Sequence, residues 1–158
     1  MKPDYAGPNT REDAVKIKRI EHVAIAVRNL DRARETFAAL GLPCTHEEVM
    51  DEYGVRLAML PVGESALELL ESNREGTQTS EWLRTKGEGL YHICLEVDDI
   101  DAALAELKAK GVKLRDEVAR IGHGGARIAF IEPSETANVL VELAEMPVGH
   151  GAGHGEGH

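Results

Sequence analysis

The sequence predicts an α+β fold of two tandem βαβββ modules whose sheets curve around a shared metal-binding cavity. Two stretches follow one plan: HVAIAVRNLDRARETFAALGL begins at His22, and HICLEVDDIDAALAELKAKGV begins at His92. Each plan ends with a glutamate inside an apolar run, Glu68 in ALELLE and Glu142 in VLVELAE. Self-similarity of this kind indicates a duplicated folding unit.

Each copy opens with a strand. In IKRIEHVAIAV, alternation places large aliphatic residues on one face and His22 with small residues on the other. His92 begins the same pattern in the second copy. Both histidines are therefore expected to point away from the aliphatic face of their strand.

A helix is expected after each of these strands. Asp31 is the expected cap of a helix that runs through Leu40, with Gly41 as its stop signal. Asp101 and Gly111 take the same places in the second copy. The shared spacing supports the duplication.

A short linker helix is expected between the copies, over about residues 79–86. Thr79 or Ser80 would cap it and Gly87 would end it. Trp82 lies within it and is expected to anchor the core.

Three strand-like runs complete each copy. They are PCTHEEVMD, GVRLAMLPV and SALELLE in the first copy, then KLRDEVARI, ARIAFIEP and NVLVELAE in the second. The two modules then span residues 17–71 and 88–146. Three strands with one helix leave a concave sheet face uncovered, so two modules can place their open faces around one cavity.

Composition restricts the function classes. The chain has 158 residues and a net charge of −10, which disfavours nucleic acid because binding phosphates needs clustered Lys and Arg. No apolar run approaches a membrane span and no secretion signal is evident, so we expect no membrane partner and a cytoplasmic location.

Residues 1–16 are expected to form a flexible arm and residues 147–158 a flexible Gly/His tail. Cys44 and Cys94 occupy unrelated offsets and are expected to be free thiols.

The paired histidines and glutamates predict one metal site. A lone strand His is usually a core or surface residue, and a lone strand Glu usually faces water. Here His22 and Glu68 are 46 residues apart, and His92 and Glu142 are 50 apart, in register with the repeat. Imidazole with carboxylate suits Co²⁺, Ni²⁺, Mn²⁺, Fe²⁺ or Zn²⁺ better than Ca²⁺. Four protein ligands would leave one or two positions open to a substrate.

At these residues the chain resembles the vicinal-oxygen-chelate superfamily and, within it, the methylmalonyl-CoA epimerases, over roughly residues 17–146. The resemblance rests on HVAIAVRNLD, on YGVRLAMLPVG with LELLES, on EWLRTKGEGLYHICLEVDDIDAALAELKAKGV, and on IGHGGARIAF before VLVEL. It implies that His22, Glu68, His92 and Glu142 bind a divalent ion that chelates an acyl-CoA substrate, whose C2 hydrogen is removed and returned on the opposite face. It also implies a homodimer.

Three departures from the epimerase pattern bear on the mechanism. Tyr91 stands where another His often precedes His92, and Leu57 stands where some relatives carry a glutamate base. EPSETANVLVEL replaces a His-Pro-Lys-Asp run, which bears on CoA specificity. We therefore assign the proton-transferring role to Glu142, with Glu68 as the second candidate.

The loop from Gly122 to Gly125 has two interpretations. It could close over the cavity, or it could be a Gly-rich turn with an exposed His123, and the pattern favours the exposed turn. Arg120 and Arg127 nearby are candidate phosphate contacts.

Two other functions fit the same fold. Glyoxalase I would use the same four residues to isomerise a glutathione hemithioacetal. A non-catalytic binder of the antibiotic-sequestering kind would use the cavity without metal, and the four placed ligands count against it. A ring-cleaving dioxygenase usually holds iron with two His and one Glu, so Glu68 as a fourth ligand disfavours it.

Overall fold

The computed structural model describes residues 15–148. Its elements in chain order are β1 (Ile17–Ala26), α1 (Leu30–Ala39), β2 (His46–Met50), β3 (Val55–Val62), β4 (Ser65–Ser72), α2 (Gln78–Lys86), β5 (Gly89–Val97), α3 (Ile100–Ala109), β6 (Arg120–Ile121), β7 (Arg127–Phe130) and β8 (Val141–Glu145), with short 3-10 turns at His123–Gly125 and Pro133–Glu135. The α+β prediction is confirmed. Most of the expected N-terminal arm, residues 1–14, and of the tail, residues 149–158, lies outside the described residues.

All eight strands form one curved sheet in the order β2-β3-β4-β1-β5-β8-β7-β6. Within each half, the first strand pairs in parallel with the last: β1 with β4, and β5 with β8. The halves join through antiparallel pairing of β1 with β5. The four central strands are therefore the ones that carry the two histidines and two glutamates.

A bulge precedes each of these histidines. Ile20 pairs with Leu95 and His22 with Cys94, which leaves Glu21 as an extra residue in β1. Ala24 pairs with His92 and Ile25 with Leu90, which leaves Tyr91 as the extra residue in β5. A bulge breaks strict alternation and redirects a side chain.

The two faces of the sheet bury different clusters. On the outer face α1 covers Val27 and Leu69, and α3 covers Val97 and Leu143. The inner, concave face carries the small residues Ala24 and Ala26 of β1 together with larger side chains, among them Leu57, Met59, Tyr91 and Phe130. Small residues at the middle of the concave face leave room for the cavity.

The helices begin two residues earlier than the sequence predicted. Asn29 and Asp99 are the caps, in extended conformation, and their side chains accept hydrogen bonds from Arg32 N and Ala102 N. Asp31 and Asp101 lie in the first turn instead, where a negative charge favours the helix N-terminus.

The linker helix shows the same shift. Thr77 is its cap and forms a capping box with Ser80, so Thr79 lies inside the helix, while Gly87 ends it as expected. Trp82 packs against the inner cluster, with its ring centroid 5.0 Å from that of Tyr91.

The run KLRDEVARI forms a strand only at Arg120–Ile121, apart from an isolated bridge between Leu114 and Ile131. The physical reason lies in its hydrogen bonds. Arg115 N and Asp116 N both donate to the Phe130 carbonyl, and the Asp116 carboxylate accepts from Phe130 N. Side-chain bonding thus replaces the regular ladder at this edge.

Among residues 15–148, no helix is long and apolar enough to span a membrane.

Candidate metal centre

The four predicted ligands converge on the concave face. His22 lies on β1, Glu68 on β4, His92 on β5 and Glu142 on β8. Pairing places them at one level of the sheet, because Ala24 lies opposite both Glu68 and His92, while Cys94 lies opposite both His22 and Glu142. All four side chains are buried, with His22 0% exposed.

Their polar atoms surround a common point. His22 Nε2 lies 3.0 Å from His92 Nε2, 3.4 Å from Glu142 Oε1 and 3.6 Å from Glu68 Oε2. His92 Nε2 lies 3.6 Å from Glu142 Oε1 and 3.9 Å from Glu68 Oε1. Ligands about 2.0–2.2 Å from one ion are separated by roughly 3–3.5 Å. The two shortest separations lie in this range and the other three are longer, so His22, His92 and Glu142 form the tightest group that could hold one divalent cation, with Glu68 slightly farther out.

The hydrogen bonding of the carboxylates agrees with this fit. Within residues 15–148, no hydrogen-bond donor reaches Glu68 Oε2 or Glu142 Oε1, although both atoms are buried. A buried carboxylate oxygen is costly unless a donor or a cation satisfies it. These oxygens face the Nε2 atoms of His22 and His92, so a cation bound among the four groups would satisfy them.

The charges around the cluster shift two pKa values in opposite directions. Burial opposes protonation of His22, but the charge of Glu68 and the hydrogen bond that His22 donates to Glu21 outweigh it and raise the His22 pKa. Burial favours the neutral form of Glu142, yet His92 and His22 lower its pKa to about 2. Glu142 is therefore a carboxylate throughout the physiological range.

A cavity of about 290 Å³ opens above the cluster, and Glu68, His92 and Glu142 are part of its lining. Leu57 forms part of the wall and is 2% exposed, so this position offers no titratable group. Tyr91 also lines the cavity, with its ring 5.0 Å from that of His92. The space suits a small acyl group in contact with Glu68, His92 and Glu142.

The two arginines differ in their surroundings. Arg120 lines the cavity, with its guanidinium 4.9 Å from the Tyr53 ring and 5.6 Å from the Phe130 ring. Arg127 instead forms a bidentate pair with Asp101 at 2.7 and 2.8 Å. Of the two candidate phosphate contacts, only Arg120 thus faces the cavity.

His123 is not the exposed residue that the sequence pattern favoured. It is 8% exposed, lines the cavity and places Nε2 3.2 Å from Glu21 Oε1 and 3.9 Å from Glu68 Oε2. Burial opposes its protonation, but the hydrogen bond to Glu21 and the charge of Glu68 raise its pKa to about 9. The compact turn of Gly124 and Gly125, both at positive φ, carries the ring inward.

Glu21 is a site residue that sequence reasoning missed. It is 0% exposed, and its Oε2 lies 3.4 Å from His22 Nδ1. Strict alternation would turn it away from His22, but the β1 bulge brings both residues inward. The signal in the sequence is an acidic residue directly before the repeat histidine.

Cys94 shares the concave face with His92 and is 0% exposed. Both cysteines are free, as expected. Burial and the nearby Glu142 raise the Cys94 pKa well above its usual value. A neutral buried thiol is a poor nucleophile, which argues against a catalytic role.

The amino-acid sequence of this chain is similar to those of known proteins. Residues 21–130 match the sequence profile of the Glyoxalase/Bleomycin resistance protein/Dioxygenase superfamily. Mitochondrial methylmalonyl-CoA epimerase of Bos taurus is 34% identical over 129 residues, which are 80% of this chain and 74% of the relative. A more distant relative, a probable lactoylglutathione lyase of Vibrio cholerae, is 26% identical over 84% of this chain and 94% of its own length.

The fold of this chain is also similar to solved structures of methylmalonyl-CoA epimerases. A variant of Streptomyces coelicolor methylmalonyl-CoA epimerase in complex with 2-nitronate-propionyl-CoA superposes with a TM-score of 0.81. It is 37% identical to this chain and is matched over 84% of this chain and 97% of its own. The TM-score and the coverage of both chains show that the two proteins share one fold.

Proposed function

The chain belongs to the Glyoxalase/Bleomycin resistance protein/Dioxygenase superfamily, and from this premise we propose that it is a metal-dependent isomerase that epimerises methylmalonyl-CoA. The observation that carries the proposal is the meeting of two imidazoles and two carboxylates beneath a cavity that admits a small acyl group. Identities of 34% and 37% to named methylmalonyl-CoA epimerases support the choice of substrate.

His22, Glu68, His92 and Glu142 would hold the divalent ion. When bound, such an ion stabilises negative charge that develops on a carbonyl oxygen of the substrate. The donor set favours Co²⁺, Ni²⁺, Mn²⁺ or Zn²⁺. Which of these the protein carries is open to direct measurement by metal analysis of the purified protein.

Glu142 and Glu68 are the proposed proton-transferring groups. Inversion at C2 requires one group to accept the proton and a second to deliver a proton to the opposite face. Glu142 is ionised, so on transient release from the ion its carboxylate would accept the proton from C2. Glu68 is the proposed second group: it would take up a proton from solvent and return it to the opposite face of C2, since Leu57 offers no carboxylate.

Exchange of the C2 hydrogen with solvent tests the proposal. The metal-loaded protein in D₂O is expected to replace the C2 hydrogen of methylmalonyl-CoA with deuterium, followed by NMR. Chelation of the metal should stop exchange, and Glu142→Gln should slow it by at least about 100-fold, within the range for loss of a general base. Glu96→Gln is the matched control, because Glu96 is also buried but pairs with Lys18 and Arg19 outside the cavity. An absence of exchange with the metal in place would reject the epimerase assignment.

Glyoxalase I is the second candidate, supported by the 26% identical lyase of Vibrio cholerae. It would isomerise the hemithioacetal of methylglyoxal and glutathione with the same four residues. Turnover of that substrate, without exchange of methylmalonyl-CoA, would favour it. A non-catalytic binder would show neither reaction and would retain ligand after removal of the metal.

We also infer a cytoplasmic homodimer that binds an acyl-CoA ligand. The assembly is inferred from the superfamily resemblance, and sedimentation equilibrium measures it directly. The acyl-CoA ligand is supported by the 2-nitronate-propionyl-CoA complex of the Streptomyces coelicolor relative.

A further inference from the structure

The residue before each repeat histidine enters the concave face through a bulge, but the two residues differ in chemistry. Tyr91 in β5 packs edge-to-face against Trp82 and belongs to the apolar cluster. Glu21 in β1 is a carboxylate that is 0% exposed. Because burying a charge is expensive unless partners compensate it, a buried carboxylate at a bulge beside a candidate metal ligand points to a specific role.

Glu21 lies between two imidazole rings. Its Oε2 is 3.4 Å from His22 Nδ1, and its Oε1 is 3.2 Å from His123 Nε2. His22 turns its other nitrogen, Nε2, towards Glu68 and Glu142. One carboxylate therefore contacts a candidate metal ligand on one side and a residue of the cavity wall on the other.

Contacts of the turn that carries His123 reach both the edge of the sheet and the floor of the cavity. Gly124 N donates to Glu48 Oε2 at 3.1 Å, at the outer edge of the sheet. His123 reaches inward to Glu21 at the floor of the cavity. The Glu48 contact is exposed, whereas the Glu21 contact is buried, so the inner contact is the more strongly constrained of the two.

We propose that Glu21 is a positioning residue that orients His22 for metal binding and holds the His123 turn against the cavity floor. The first half rests on the metal site of the proposed function, and the second half does not. A carboxylate that accepts the Nδ1 hydrogen of His22 fixes the tautomer in which Nε2 is free to bind an ion. The same carboxylate ties a cavity wall residue to that ligand.

Metal affinity tests the first half. Co²⁺ competition with a chromophoric chelator is expected to show a Kd about 10–100-fold weaker in Glu21→Gln than in the unchanged protein, as for loss of an outer carboxylate partner. The visible absorption bands of bound Co²⁺ should shift, because they report the donor strength of the ligands. Glu96→Gln, the same change at another buried glutamate, should alter neither. Equal affinity and an unchanged Co²⁺ spectrum in Glu21→Gln would overturn this half.

Hydrogen exchange of the metal-free protein tests the second half. Backbone amides of residues 123–127 are expected to exchange at least about tenfold faster in Glu21→Gln and in His123→Ala, with no further increase in the double variant. Additive increases, or unchanged protection in both single variants, would overturn it. His123→Ala keeps the test valid if Glu21→Gln folds poorly, because it breaks the same contact from the surface turn. If the unchanged protein binds no divalent ion, the proposed metal site is wrong. The exchange experiment still tests whether Glu21 holds the His123 turn, because it uses the metal-free protein.

Discussion

Removal of the proposed divalent ion is expected to destabilise the fold by an amount that can be worked out. The four proposed ligands lie on four strands and up to 120 residues apart in the chain, from His22 to Glu142, so the unfolded chain does not present them together. Binding to the folded state alone stabilises it by about 2.7 kcal/mol when free metal is 100 times its Kd. For a chain of 158 residues, each kcal/mol shifts Tm by roughly 2–4 °C.

The expected result is a Tm that rises by about 5–11 °C on loading the chelator-treated protein with Co²⁺ or Zn²⁺, measured by differential scanning calorimetry. Replacing both His22 and His92 by Ala should abolish the metal-dependent rise. The tail histidines, His150, His154 and His158, could bind metal in either state, so a variant with Asn at these three positions is the control and should keep the full shift. A shift that survives the His22 and His92 changes, or disappears in the tail variant, would refute the assignment.

Three further predictions concern the scaffold. Cys44, partly exposed, should react with a thiol reagent in the native protein, whereas Cys94, buried and with a raised pKa, should react only after unfolding; two fast-reacting thiols would contradict this. Leu60→Ala should lower the free energy of unfolding by about 2–5 kcal/mol in urea titration, because Leu60 is 0% exposed, and a loss below 1 kcal/mol would be too small for a core site. Asn29→Ala and Asp99→Ala should each cost about 1 kcal/mol in the same assay through loss of a helix cap, and no change in either would argue against the observed caps.

Those elements that rest on periodicity were predictable from the sequence. His22 and His92 sit at equal positions in two alternating strands, and alternation alone fixes which way they face. Glu68 and Glu142 stand out because each interrupts an aliphatic strand with a charge. Their convergence follows from the repeat, since β1 and β5 pair at the centre and each carries its own module's last strand beside it.

Features that depend on tertiary contacts were not predictable in the same way. Glu21 escapes alternation because a bulge is a property of the strand pairing and leaves no period in the sequence. His123 lies in a Gly-rich turn, where local pattern indicates exposure, and only the long-range contact with Glu21 buries it. The helix caps were misplaced because Asn29 and Asp31, two residues apart, are both acceptable capping residues, and the extended backbone at Asn29 decides between them.

The repeat also duplicates the contacts that hold each helix in place. Arg56 pairs with Asp31, and Arg127 pairs with Asp101 in the same way. These ion pairs join β3 to the first turn of α1 and β7 to the first turn of α3.

A second pair of equivalent contacts lies at the helix starts. The Glu71 carboxylate accepts from Leu30 N, and the Glu145 carboxylate accepts from Ile100 N. Each glutamate lies three residues after the proposed ligand of its module's last strand, so helix position and ligand position are set by the same strand.

The symmetry ends at the cavity, where equivalent positions carry different side chains. At the paired bulges, Tyr91 contributes an aromatic ring while Glu21 contributes a carboxylate that reaches His123 in the other module. A duplicated scaffold can supply equivalent ligands to one ion and an equivalent pair of proton-transferring carboxylates, Glu68 and Glu142, but it does not by itself distinguish one end of an asymmetric substrate from the other. The differences between the halves at Glu21, Tyr91 and His123 are therefore where the reaction's specificity is expected to arise.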